Sequence, residues 1–93
     1  MTTTGTPVAE LAEQVAATVL AVPDVTALHA GVFGEIATYL PRRRIDGIRI
    51  GHDLCVVHIV VRYPADLRAV ADTVRTCVEQ LVAMPVQVTI EDL

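Results

Sequence analysis

The sequence predicts an α+β domain of two layers, in which one mixed sheet of three to four strands carries two helices on one face. Two segments repeat apolar residues every three or four positions, as amphipathic helices do. Other segments are short and either alternating or rich in β-branched residues, which is typical of strands. The resulting order is α-β-β-β-α-β. Two helices with one apolar stripe each are buried most simply on one face of a single sheet.

The chain of 93 residues has the size of one domain, with residues 1–7 as a flexible tail and residues 8–93 as the folded unit. Its formal net charge of -4 argues against a general nucleic-acid-binding protein, which would present a basic face. Cys55 and Cys77 are too few for a secreted disulfide framework and are interpreted as buried thiols in a reducing cytosol. No apolar stretch is long enough to cross a membrane, so membrane association would require a partner.

The first helix is predicted for residues 8–21, where one apolar stripe recurs. Thr6 is expected to cap it with Pro7 at the first helical position. Glu10 suits the positive pole of the helix dipole. Pro23 stops the helix.

The next part of the chain is less regular. Weak alternation predicts a strand over residues 25–33, which Gly31 and Gly34 loosen. Residues 35–40 fit a helical turn or a strand edge, and both remain open. Residues 41–44, with the sequence Pro-Arg-Arg-Arg, are interpreted as a basic loop.

Residues 45–63 are predicted to form the central hairpin of the sheet. Apolar and polar residues alternate before a turn at residues 51–53. Residues 54–61 are apolar at every position but His58, which favours a covered central strand. The hairpin therefore organises the rest of the chain.

The second helix is the clearest prediction. Asp66 is a plausible N-cap, and the apolar stripe of residues 67–81 is regular. Residues 84–85, Met-Pro, end it. Residues 86–91 alternate as a half-buried strand does, and are placed beside a strand of the hairpin.

No catalytic or metal-ligating constellation is recognised, so no cofactor is assigned and the chain is interpreted as a non-enzyme. His52, Asp53, Cys55 and His58 are metal-ligand types, but strand spacing keeps the two histidines far apart. Cys55 and Cys77 lie on predicted core faces, which disfavours a reactive thiolate. The sequence contains no serine, which excludes serine hydrolysis.

Charged and polar positions give the candidate contact surface. Three consecutive arginines in a loop are either a solvated loop or a contact for an acidic partner or anionic lipid. Further polar residues are predicted on the sheet face opposite the helices. The residues proposed to bind a partner are Arg42, Arg43, Arg44, Arg49, His58 and Arg62.

In the order and spacing of its segments the chain resembles the alkaline shock protein family, the general-stress or envelope stress response family of bacteria. The segments that carry the resemblance are Val-Pro-Asp-Val at 22–25, the Gly-rich 30–34, Leu-Pro-Arg-Arg-Arg-Ile-Asp-Gly-Ile-Arg-Ile at 40–50, the apolar strand that follows, and the closing Val-Gln-Val-Thr-Ile-Glu-Asp-Leu at 86–93. The match covers residues 8–93. The absence of Lys and Ser suggests an actinobacterial member.

The resemblance implies a non-enzymatic cytoplasmic protein of the envelope stress response. Such a protein would dock on a small membrane-anchor protein, at the inner face of the membrane, and associate with copies of itself. The alternative is a small RNA- or nucleoid-associated module. The acidic composition and the scarcity of aromatic residues for base stacking weigh against that alternative.

Overall fold

A computed structural model describes residues 7–91 and confirms the α+β class. The helices and strands are α1 Val8–Leu20, β1 Val25–Leu28, β2 Ala37–Leu40, β3 Arg43–Asp46, β4 Ile48–Ile50, β5 Cys55–Val61, α2 Leu67–Val82 and β6 Val86–Ile90. The predicted order is retained, with two further short strands, β2 and β3, between the first strand and the central hairpin. The predicted tail and the last two residues lie outside the described part, apart from Pro7.

Both helices begin and end where local chemistry requires it. Pro7 is the N-cap of α1, one position later than the predicted cap Thr6, which lies outside the described residues. The Pro7 carbonyl accepts a hydrogen bond from the Leu11 N–H at 2.9 Å. Asp66 caps α2 as predicted, because its Oδ1 accepts from the Ala69 N–H at 3.1 Å. Ala83 closes α2 in the left-handed conformation at φ 53°.

Strand β5 is the centre of a four-stranded mixed sheet. β6 pairs with one edge of it in parallel, in the register Cys55↔Val86 to Ile59↔Ile90. The other edge is shared end to end by β4 and β1, both antiparallel to β5. The predicted central hairpin is therefore confirmed as β4 and β5, and the final strand lies beside β5.

The core lies between one face of this sheet and the two helices. Alternate residues of β5 point into it, and Cys55, Val57 and Ile59 are completely buried. The helices contribute the inward residues of their stripes. Those core residues are Ala12, Val15, Val19, Val70, Val74, Val78 and Val82.

The segment before the central hairpin differs from the prediction. The strand predicted over residues 25–33 ends at Leu28, because residues 29–36 form a loop in which Gly31 and Gly34 have φ of 90° and 70°. Residues 35–40, left open by the sequence, contain strand β2. The basic loop at 41–44 is instead a two-residue turn followed by the start of β3, so β2 and β3 form a separate hairpin.

Gly47 lies where three strands meet. Its carbonyl accepts from the His58 N–H at 2.9 Å, and the His58 carbonyl accepts from the His29 N–H at 3.0 Å. Gly47 has φ 83°, and a Cβ there would lie 2.8 Å from the His58 carbonyl oxygen and 2.9 Å from the Leu28 Cβ. Only glycine fits this junction without moving backbone.

We expect Gly47→Ala to lower the free energy of unfolding by about 3 kcal/mol or more, because it adds backbone overlap to left-handed strain. Gly34→Ala is the matched control, since Gly34 also has a positive φ of 70° but has open space around it. That control should cost only about 1–2 kcal/mol. Urea unfolding of both variants measures the difference, and equal losses would contradict a junction that admits only glycine.

Candidate interaction surface

The three consecutive arginines lie on the β2–β3 hairpin. Arg42 occupies the turn with Pro41, and Arg43 and Arg44 begin β3, paired with Leu40 and Tyr39 of β2. Successive strand residues point to opposite faces, so the arginines do not form one row. Arg43 points towards α1, where its Nη1 lies 3.6 Å from Glu13 Oε2.

Arg44 is held on the other face of the hairpin. Its guanidinium lies 5.8 Å from the centroid of the Tyr39 ring, within the range of a cation–π contact. Its Nε lies 2.7 Å from Asp46 Oδ1. Hydrogen bonding to Tyr39 and Asp46 raises the pKa of the Arg44 guanidinium above its ordinary value, so the group stays charged.

Arg42 has a different environment from its neighbours. It is exposed and forms no ion pair with any residue between 7 and 91. Tyr39, two residues before the turn, is 71% exposed. We call Tyr39, Arg42, Arg43 and Arg44 the basic hairpin. It presents three guanidinium groups and an aromatic ring to solvent.

The other predicted contact residues lie elsewhere on the sheet. The ladder pairs of β5 place Arg49 beside Val56 and His58 beside Thr89, on the face away from the helices as predicted. His58 Nδ1 lies 2.6 Å from Glu91 Oε2, and the two side chains are only 13% and 18% exposed. This contact connects β5 to the end of β6.

Arg62, which follows β5, forms an ion pair with Asp24, the residue before β1. Its Nε lies 2.6 Å from Asp24 Oδ1, and its N–H donates to the Asp24 carbonyl at 2.9 Å. The six predicted contact residues therefore lie in three places. Arg42, Arg43 and Arg44 belong to the basic hairpin, Arg49 and His58 lie on the sheet face, and Arg62 pairs with Asp24. Their role in partner binding stays a prediction.

Tyr39 is not among the contact residues predicted from the sequence, although the sequence contains a signal for it. Pro41 and Arg42 are flanked on both sides by residues able to form strands, as in a two-residue hairpin. Such a hairpin places Tyr39 directly opposite Arg44. The pairing predicts a tyrosine and an arginine on one face.

The part of the chain from 7 to 91 contains no group of three or more His, Cys, Asp or Glu side chains arranged to hold a metal ion. Cys55 is completely buried in the core, as predicted, and burial raises the pKa of its thiol to about 11. Cys77 on α2 is only partly buried.

A surface pocket of about 410 Å³ opens where β5 and β6 end and α2 begins. Its charged lining residues already have partners, since Arg62 contacts Asp24 and Glu91 contacts His58. The rest of the lining is largely apolar and consists of Val61, Tyr63, Pro64, Ala65, Leu67 and Ile90. The pocket therefore offers no uncommitted charged group to a small ligand.

Neither α1 nor α2, the helices found within residues 7–91, has the length and apolar character needed to cross a membrane. No family model matches the chain, and it has no match among curated proteins or solved structures. The resemblance to the alkaline shock protein family therefore stays a prediction.

The Cys55 thiol predicts a pH dependence of stability. Its pKa is about 11 in the folded chain against an ordinary value of 9.0. Between those values the unfolded chain has lost the proton and the folded chain has kept it, so stability falls as pH rises. We expect the Cys55→Ala variant to lose less of its own unfolding free energy between pH 9 and 11. Urea titrations over that range measure this, and parallel pH profiles would contradict the assignment.

Proposed function

We propose that this chain is a non-enzymatic interaction domain that docks through the basic hairpin onto an acidic segment of a small membrane-anchor protein. The docking would take place on the cytoplasmic side of the envelope, and the domain would also associate with itself. The proposal includes a role in the envelope stress response, which rests on the resemblance of residues 8–93 to the alkaline shock protein family.

The observation that carries the proposal is the concentration of positive charge on the β2–β3 hairpin. The chain is acidic overall, with a net charge of -4, yet three of its seven basic residues are consecutive on the basic hairpin. These residues lie on β2 and β3 and the turn between them, and β2 and β3 form a two-stranded sheet separate from the four strands centred on β5. An acidic partner would be drawn to this element and repelled by much of the remaining surface.

The chemistry of the basic hairpin suits a carboxylate-rich peptide. A guanidinium can bind a carboxylate through two parallel hydrogen bonds, which fixes orientation as well as charge. Arg42 is available for this among the described residues, and Tyr39 adds an exposed aromatic surface of the kind enriched at binding hot spots. Arg43 and Arg44 lie at the same tip, where their ion pairs with Glu13 and Asp46 are themselves partly exposed.

We expect Arg42→Glu to reduce recovery of the membrane partner about tenfold, because it replaces the available cation with a like charge. The matched control is Arg68→Glu. Arg68 is exposed on α2 and also has no ion pair within residues 7–91. Each change lowers net charge by the same amount, so only position differs. The measurement is affinity capture from membranes of the source organism after mild crosslinking, with recovered proteins quantified by mass spectrometry.

The contrary outcomes are distinct. Equal recovery by Arg42→Glu, Arg68→Glu and the unchanged chain would remove the basic hairpin from the interface. Recovery of RNA in place of a membrane protein, lost in Arg42→Glu, would support the nucleic-acid alternative instead. Unfolding of Arg42→Glu in urea should match that of the unchanged chain, since the side chain is exposed.

A further inference from the structure

The outer edge of β6 has unpaired backbone groups. The Cys55 N–H donates to the Pro85 carbonyl at 3.0 Å, and the Glu91 N–H donates to the Ile59 carbonyl at 2.8 Å. Alternate residues of a strand direct their backbone groups to opposite edges. The residues of β6 whose N–H and C=O groups face away from β5 are therefore Val86, Val88 and Ile90.

Within residues 7–91 no hydrogen bond from another element reaches the outward N–H and C=O groups of Val86, Val88 and Ile90. Natural proteins usually protect such an edge with charged residues, proline, a bulge or a covering loop. The five residues of β6, Val-Gln-Val-Thr-Ile, contain no charge, no proline and no glycine. The outer edge of β6 therefore lacks the residues that usually prevent a strand from pairing with another chain.

We propose that β6 pairs antiparallel with β6 of a second copy, in a register centred on Val88. This inference deepens the proposed function, of which self-association is a part. In that register Val88 faces Val88 of the second copy, and Val86 faces Ile90. All three outward residues then exchange both backbone hydrogen bonds, as directly opposed residues of an antiparallel ladder do. The two sheets become one continuous sheet.

The side chains favour a second copy over another occupant. The register places Gln87 opposite Thr89, and these polar residues share the face away from the helices. Glu91 falls opposite Pro85, so no two carboxylates face each other. On the other face, Val88 and Ile90 are only half-buried against the core, and each gains an apolar neighbour. The strand is thus complementary to itself.

The pairing would also arrange the basic hairpins. β6 lies on one edge of β5, whereas β4 and the hairpin next to it lie on the other side of the sheet. A dimer joined at β6 therefore has one basic hairpin near each end of its continuous sheet. Two weak contacts made together bind far more tightly than either alone, provided the partners can reach both.

Amide hydrogen exchange by NMR tests the pairing residue by residue in the full chain. At low protein concentration we expect protection of Gln87 and Thr89, which bond to β5, and fast exchange of Val86, Val88 and Ile90. Raising the concentration should slow the exchange of those three amides at least tenfold. Their continued fast exchange in a chain that stays monomeric by sedimentation would overturn the proposal.

Two double variants separate edge pairing from other self-association. Gln87→Lys with Thr89→Lys places like charges opposite each other across the interface, and should weaken the dimer about tenfold or more. Gln87→Glu with Thr89→Lys differs only at position 87, places opposite charges there, and should keep the dimer. Equal dimerisation of the two, measured by sedimentation equilibrium, would overturn the register. Urea unfolding at low concentration shows that both monomers are folded.

Partner capture distinguishes this inference from the proposed function. The lysine pair lies far from the basic hairpin in the sheet order, so a folded monomeric variant should still recover the membrane partner, in smaller amount. Loss of dimerisation with retained capture supports both proposals. A dimer of the expected register that captures no partner in any form would leave the pairing intact and overturn the docking role.

Discussion

The backbone of His58 is the point on which the sheet depends. Its N–H bonds to Gly47 and its carbonyl bonds to His29, so β4 and β1 meet end to end along one edge of β5. The parallel strand β6 takes the other edge. With both edges paired and one face under two helices, β5 is a buried central strand. The remaining elements are positioned relative to it.

This arrangement separates two surfaces that have different chemistry. The edge shared by β4 and β1 leads to the basic hairpin, which is charged and carries an exposed aromatic ring. The opposite edge is β6, which is uncharged and offers backbone groups. The two proposed contacts therefore use different sides of the domain, so docking at the basic hairpin would not compete with pairing at β6.

The sequence predicted what depends on local periodicity. The stripe of α2, its Asp66 cap, the buried Cys55 and the alternation of β6 could all be inferred, since each reflects a repeat or a single residue. The β2–β3 hairpin was not predicted, because its four-residue strands leave only a short pattern and three consecutive arginines are more typical of a solvated loop. The contacts of His58 with Glu91 and of Arg62 with Asp24 join residues distant in sequence, so no local pattern reveals them.

Site-specific photo-crosslinking in the source organism can show whether the basic hairpin is the docking element. A photoreactive phenylalanine analogue would replace Tyr39, which is 71% exposed on the hairpin, or Tyr63, which is 95% exposed beside the pocket. We expect a crosslink from position 39 to a membrane protein with an acidic segment, and no crosslink to that protein from position 63. A membrane-protein crosslink from position 63 alone would exclude the basic hairpin as the docking element.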